Sequence, residues 1–145
     1  MLSRSKARSI LTLGMSISLL LLITMTTRTT FVLPPLLATA ATKYGDPEWR
    51  FRRSISVFVS YIISAIIAIM FTGLGLVSMS FALLGSLVSL SITSLLSVEH
   101  PPSILATFLG IMERASPIYI LHPVATGIAI VELTNYGATK LIPKA

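Results

Sequence analysis

The histidine and two prolines at residues 100 to 102 form the segment best suited to chemistry. The His100 imidazole can donate a hydrogen bond, accept one or carry a proton near neutral pH. Proline lacks a backbone N–H and is favoured in the first turn of a helix, where that N–H would have no partner within the helix. A helix start also carries about half a positive charge, which attracts anions. The pattern therefore predicts a helix that begins at Pro101 and holds an anion beside His100.

A second double proline, Pro34-Pro35, stands in a similar context. The segments "LPPLLATA" (33–40) and "HPPSILATF" (100–108) each place an Ala-Thr pair a few residues after the prolines. We expect both segments to begin short helices whose first amides bind the anion together with His100. The predicted binding residues are His100, Pro101, Pro102, Ser103, Pro34, Pro35, Leu36 and Thr107. The sequence contains no cysteine, metal-binding motif, catalytic triad signature or phosphate-binding loop, so no catalytic residue, cofactor or metal is predicted.

These segments belong to a strongly apolar chain. Of its 145 residues, 54% are hydrophobic and 11% are charged, whereas a soluble domain has about 25% charged residues. Residues 9–27 carry no charge and suit one membrane-spanning helix; residues 54–98 suit two helices and a turn at Gly73 and Gly75. A signal peptide is disfavoured for 9–27, because its 19 uncharged residues exceed a typical apolar core. The net charge of +6 lies at the ends of the apolar spans, which favours membrane orientation over nucleic-acid binding.

The sequence predicts an all-α polytopic membrane protein with four long transmembrane helices and two short segments broken at the double prolines. The long spans are 9–27, 54–71, 76–96 and 116–136, the short segments are 29–42 and 100–112, and a polar loop covers 43–53. His122-Pro123 is expected to kink the last span. The double prolines lie 67 residues apart, and the same shift places the first span on the third. This match suggests an internal repeat, residues 1–72 and 73–145, within one transmembrane domain.

The distribution of basic residues favours six crossings. If the short segments were loops, the two faces would carry six and five basic residues, which gives no orientation. If each short segment carries the chain across, nine basic residues lie on the N-terminal side and only Arg28 and Arg114 lie opposite. The positive-inside rule expects such an excess and places both termini in the cytoplasm. The second half is then inverted relative to the first, as in many transporters.

Around "VEHPPSILATF" (98–108) the chain resembles the HPP family of integral membrane proteins, named after this His-Pro-Pro. The resemblance extends over nearly the whole chain, including "FVLPPLLATAAT" (31–42). It departs at Ser103, Ile104 and Leu105, where family members often have small residues. Some members resemble nitrite transporters, which implies transport of a small anion. Others carry a cytoplasmic CBS pair, and we expect none here, because about nine residues follow the last span.

Two functions are therefore weighed, and a third is disfavoured. The first is a transporter or channel for a small monovalent, nitrite-like anion, acting as a homodimer in the lipid of the plasma membrane. The alternative is a structural or accessory subunit of a larger membrane complex, in which the broken segments serve packing. An enzyme is not expected, because the sequence shows no catalytic signature.

Overall fold

The computed structural model describes residues 4–28, 33–46 and 48–141, which form helices and no strands. The helices are α1 (Arg4–Thr27), α2 (Leu33–Gly45), α3 (Phe51–Gly73), α4 (Met79–Leu95), α5 (Pro101–Met112) and α6 (Thr126–Leu141). A 3-10 turn (Pro117–Ile120) and a π turn (Leu121–Ala125) precede α6. Residues 29–32, the start of the first predicted short segment, lie outside the described ranges. The predicted all-α polytopic fold is confirmed.

Helix lengths differ from the predicted spans most clearly for the third long span and the first short segment. Among the residues that the structure describes, the stretches long and apolar enough to cross a membrane are Lys6–Thr27, Phe51–Gly73 and Pro117–Leu141. The predicted third long span, 76–96, is a helix of only 17 residues, α4, because the turn after α3 extends to Ser78. Conversely, α2 continues to Gly45 and takes up the first residues of the predicted polar loop.

The predicted breaks in the helices are observed. Both double prolines lie in the first turn of a helix, because α2 begins at Leu33 and α5 begins at Pro101. Gly75 adopts φ +72° in the turn between α3 and α4, a conformation that glycine takes without steric cost. His122 leaves the helical region, with φ −141° and ψ 125°. The last span is therefore kinked at the predicted position.

Hydrogen bonds between helix ends define the two ends of the bundle. Arg8 near the start of α1 and the backbone of Trp49 before α3 both bond to Thr139 near the end of α6. We call this the basic end. At the opposite end, Thr72 of α3 donates to the carbonyl of Ala115, just after α5. Helices α3 and α5 therefore run in the same direction.

Helix α1 buries polar side chains and exposes apolar ones. Its exposed residues include Ile10, Leu11, Met15, Leu19, Leu21, Leu22 and Met25. Its buried residues include Arg8, Ser9, Thr12 and Ser16. A surface helix of a water-soluble protein would show the opposite distribution. The arrangement is typical of a helix that faces lipid on one side and a polar bundle interior on the other.

The parallel helices α3 and α5 are joined by hydroxyl groups in a constant register. The hydrogen-bonded pairs, each 43 residues apart, are Ser60 with Ser103, Ser64 with Thr107, and Thr72 with Ala115. Because these residues are small, the two backbones approach closely, as is usual between helices in membranes. We call this set of contacts the α3–α5 ladder.

The six helices form two packing groups that do not follow the chain order. Helices α1, α2 and α6 all contact one another, and so do α3, α4 and α5; the contact of α2 with α5 joins the two groups. Each half of the predicted repeat thus gives its third helix to the other half. Exchanging α1 with α4, α2 with α5 and α3 with α6 maps one group onto the other. These contacts fit an inverted repeat of 1–72 and 73–145, which stays a prediction.

Candidate functional site

His100 lies where the N-terminus of α5 meets the middle of α2. It is the N-cap residue of α5, with extended backbone angles (φ −138°, ψ 97°), as expected before a proline. Its ring is half-buried and its Nε2 atom lies 2.9 Å from the hydroxyl of Thr39 on α2. This hydrogen bond joins the two segments that carry the double prolines.

Further hydrogen bonds lead from Thr39 to the first turn of α2. The Thr39 hydroxyl lies 2.7 Å from the hydroxyl of Tyr61 on α3, and Tyr61 donates to the Pro35 carbonyl over 2.7 Å. If His100 donates to Thr39, Thr39 donates to Tyr61 and Tyr61 donates to the Pro35 carbonyl, each polar hydrogen of these three side chains has one acceptor. We call His100, Thr39, Tyr61 and the Pro35 carbonyl the His100 cluster. Sequence reasoning missed Thr39 and Tyr61.

Ser103 extends the His100 cluster toward the α3–α5 ladder. Its side chain is buried, donates to the His100 carbonyl over 2.8 Å and lies 2.7 Å from the Ser60 hydroxyl. Its backbone N–H also bonds to the His100 carbonyl, and the two preceding prolines have no N–H. The Ser103 amide at this helix start is therefore already bonded in the structure. The binding of an anion by the amides of this helix start stays a prediction.

The other predicted binding residues are spread over the two helices. Pro34 and Pro101 are exposed and Pro102 is half-buried. Leu36 is buried against Gly127 of α6 and serves packing. Thr107 lies further along α5 and donates to the Ser64 carbonyl in the α3–α5 ladder. The structure thus brings together His100, Ser103 and Pro35, and it places Leu36 and Thr107 apart from them.

A buried ion pair lies on the same face of α2 as Thr39. Lys43 Nζ is 2.6 Å from Glu132 Oε1 on α6, and the two side chains are 3% and 10% exposed. Pro35, Thr39 and Lys43 follow one another at intervals of four residues, which places them in one row along the helix. The sequence predicts Lys43 in a polar loop, whereas the structure places it on α2. The four-residue spacing of Pro35, Thr39 and Lys43 is the signal in the sequence that points to this position.

Two neighbouring clefts open at the end of the bundle opposite the basic end. Their volumes are about 420 Å³ and about 290 Å³, and both are lined by Arg114, Ala115 and Ser116. His122, at the kink in the last span, lines the smaller cleft. We call the two clefts the Arg114 vestibule. His100 lines neither of them.

The site chemistry is that of hydroxyls, imidazole and one ion pair. Among the described residues, no group of three or more histidine, cysteine, aspartate or glutamate side chains is arranged to hold a metal ion. The buried hydroxyls near His100 are those of Thr39, Tyr61 and Ser103, and each is bonded within the cluster. They could donate to a ligand only by exchanging these bonds. Lys43 supplies a buried positive charge one helical turn from Thr39. This set suits a small polar or anionic ligand.

Comparison with known proteins agrees with this description. A family model described as HPP, transmembrane region, matches residues 3–143. No curated protein and no solved structure matches the chain. The match includes both double prolines, the His100 cluster and the three stretches long and apolar enough to cross a membrane. The chain therefore belongs to the HPP transmembrane family and is an integral membrane protein.

Proposed function

We propose that this protein transports a small monovalent, nitrite-like anion across a membrane. The observation that carries the proposal is the hydrogen bond between His100 and Thr39, which joins the two proline-started helices inside the bundle. Backbone that breaks at membrane depth must face protein or water, because lipid cannot bond to its polar groups. Broken helices that meet around polar side chains are a common way to build a transport site. Membership of the HPP family is consistent with this role.

The buried charges favour a single negative charge on the transported species. Lys43 and Glu132 form one buried ion pair with no net charge. Charges inside a membrane protein are costly unless they are paired. The one ammonium group of this pair can balance a monovalent anion but leaves half the charge of a divalent anion unbalanced.

The positions of the basic residues suggest a path for the anion. Arg114 lines both clefts of the vestibule at one end and supplies a positive charge there, while the carboxylate of Glu113 lines the smaller cleft. The His100 cluster lies toward the other end, and Lys43 and Arg53 act on His100 electrostatically there. Rearrangement of the packed bundle must open this path, because the hydroxyls of the cluster are bonded to one another in the structure.

Uptake of nitrite into proteoliposomes tests the proposal. We expect His100→Ala and Thr39→Val to lower the uptake rate about tenfold or more, because each variant removes a polar group that binds the anion. The matched control is Thr93→Val, since Thr93 is equally buried but bonds only within α4. Elution of each variant as a single species on size exclusion shows that it is folded. Wild-type uptake in both site variants would contradict the proposed site.

The alternative is an accessory subunit of a larger membrane complex. The closed hydrogen bonding of the His100 cluster favours it, because satisfied hydroxyls also hold helices together. Anion uptake by the isolated protein separates the two functions, since a purely structural subunit gives no uptake on its own. Cross-linking in membranes tests the expected homodimer, and fractionation tests the expected plasma-membrane location.

A further inference from the structure

The ion pair between Lys43 and Glu132 is placed where a transport protein can couple two ions. It links α2 to α6 inside the bundle, over 2.6 Å, with both side chains nearly inaccessible. It also lies one helical turn from Thr39 and therefore from the His100 cluster. Ionisable side chains inside membrane proteins commonly mark pathways of ions and protons.

Only one oxygen of the Glu132 carboxylate is paired. Oε1 contacts Lys43, whereas Oε2 is buried and has no hydrogen-bond partner among the residues that the structure describes. A buried carboxylate oxygen without a donor is energetically costly. A proton on Oε2 would make the carboxyl group neutral, and a neutral group costs less to bury than a charged one. Oε2 is therefore the oxygen at which Glu132 has room for a proton.

The surrounding charges are few and come from several elements. From α1, the buried Arg8 bonds to Thr139, seven residues beyond Glu132 on α6. Arg53 of α3 and Asp46 before it act on Lys43 electrostatically. Other titratable groups are His100 at the start of α5, on which Lys43 also acts, and Tyr61 of α3. On α6 itself, Tyr136 and Lys140 follow Glu132 by one and two turns, and His122 lies in the π turn toward the other end. Glu132 is the only buried carboxylate among the described residues.

We propose that Lys43 and Glu132 couple the anion to a proton, so that the protein is an electroneutral proton–anion symporter. This inference rests on the proposed function. In the first step a proton binds Oε2 of Glu132, and the ion pair is lost. In the second step the freed ammonium of Lys43 pairs with the monovalent anion. The pair has no net charge before the first step and none after the second. Release of both ions on the other side restores the original ion pair.

The test measures protons and anions together in wild-type proteoliposomes. Nitrite and nitrate serve as probes, and uptake by protein-free liposomes is subtracted, because nitrous acid crosses lipid unaided. We expect one proton to enter with each anion, and a pH gradient, acid outside, to drive uptake. A potassium gradient with valinomycin, which sets the membrane potential, should leave the rate unchanged. Uptake that follows the membrane potential and moves no protons would overturn the symport.

Glu132→Gln isolates the role of the carboxylate. Glutamine keeps the shape of the side chain and cannot release a proton, so we expect uptake that moves no protons and responds to the membrane potential. The control is Glu99→Gln, because Glu99 is an exposed carboxylate next to the site; coupling should persist in this variant. Proton coupling that survives in Glu132→Gln would overturn the assignment to Glu132.

Absence of any anion flux in the wild type would overturn the proposed function and the symport together, whereas uncoupled flux would overturn only the symport.

Discussion

Gly110 of α5 lies so close to Ala68 of α3 that a methyl group on Gly110 would stand 2.7 Å from the Ala68 side chain. The same methyl group would lie 3.0 Å from the ring of Tyr119. An alanine side chain has no rotamer that could move it away, so the backbones themselves would have to separate. This contact shows how tightly α3 and α5 are held together along the α3–α5 ladder.

The first prediction concerns this close approach. Gly110→Ala should lower the stability of the protein in detergent by about 1–3 kcal/mol, as expected for overpacking. Gly137→Ala on α6 is the control, because nothing lies within 4 Å of the added methyl group; it should leave stability unchanged or raise it slightly, since alanine favours helix. Thermal unfolding followed by size exclusion measures both variants. Equal midpoint temperatures of unfolding for Gly110→Ala and Gly137→Ala would contradict the packing described for α5.

The second prediction concerns the hydroxyl pair Ser60 and Ser103, whose oxygens lie 2.7 Å apart. A double-mutant cycle with Ser60→Ala and Ser103→Ala should give a coupling energy of about 0.6 kcal/mol, the average for such bonds in membrane proteins. The single variant Ser103→Ala should cost more than Ser60→Ala, because Ser103 also donates to the His100 carbonyl. Additive effects of the two single changes would argue against the hydrogen bond.

The third prediction is the membrane topology. Ser97 and Ser116 are exposed residues that flank α5, and the chain has no native cysteine. If α5 carries the chain across the membrane, Ser97→Cys and Ser116→Cys should be labelled from opposite sides by an impermeant thiol reagent. Tyr44→Cys, near the basic end, should be labelled together with Ser97→Cys. If Ser97→Cys and Ser116→Cys are labelled from the same side, α5 does not carry the chain across the membrane. The prediction of six crossings would then be wrong.

The fourth prediction is selectivity among anions. Nitrate, formate and chloride should compete with nitrite for uptake, whereas sulfate should not. The reason is that a divalent anion costs far more to dehydrate, while the buried ammonium of Lys43 near the His100 cluster is already paired with Glu132. Competition is measured in vesicles held at one membrane potential. Strong inhibition by sulfate with none by chloride would contradict a site built from hydroxyls and one ion pair.

The sequence predicts the features that depend on local backbone chemistry. Prolines at 34–35 and 101–102 start helices, Gly75 turns the chain, and His122 precedes a kink, because each residue type restricts its own backbone or that of its neighbour. That the amides at the start of α5 bind an anion stays a prediction; in the structure the two prolines carry no N–H and the Ser103 N–H bonds to the His100 carbonyl.

The partners of the site residues depend on tertiary packing and could not be predicted in the same way. In the sequence, nothing distinguishes Tyr61 from other aromatic residues of an apolar span. Its hydroxyl reaches the Pro35 carbonyl only because α3 packs against α2. Lys43 and Glu132 lie 89 residues apart in sequence, and the sequence places each of these charged residues near the end of an apolar segment. Their pairing follows from the way α6 packs with the first two helices.

The exchange of third helices between the halves of the chain has a mechanical consequence. The α3–α5 ladder joins two helices of one group, and the ion pair of Lys43 and Glu132 joins α2 to α6 in the other. The hydrogen bonds of Thr39 with His100 and Tyr61, and that of Tyr61 with the Pro35 carbonyl, cross from one group to the other. If the two groups were to move against each other, these bonds would have to stretch or exchange partners, because they lie on the boundary between the groups.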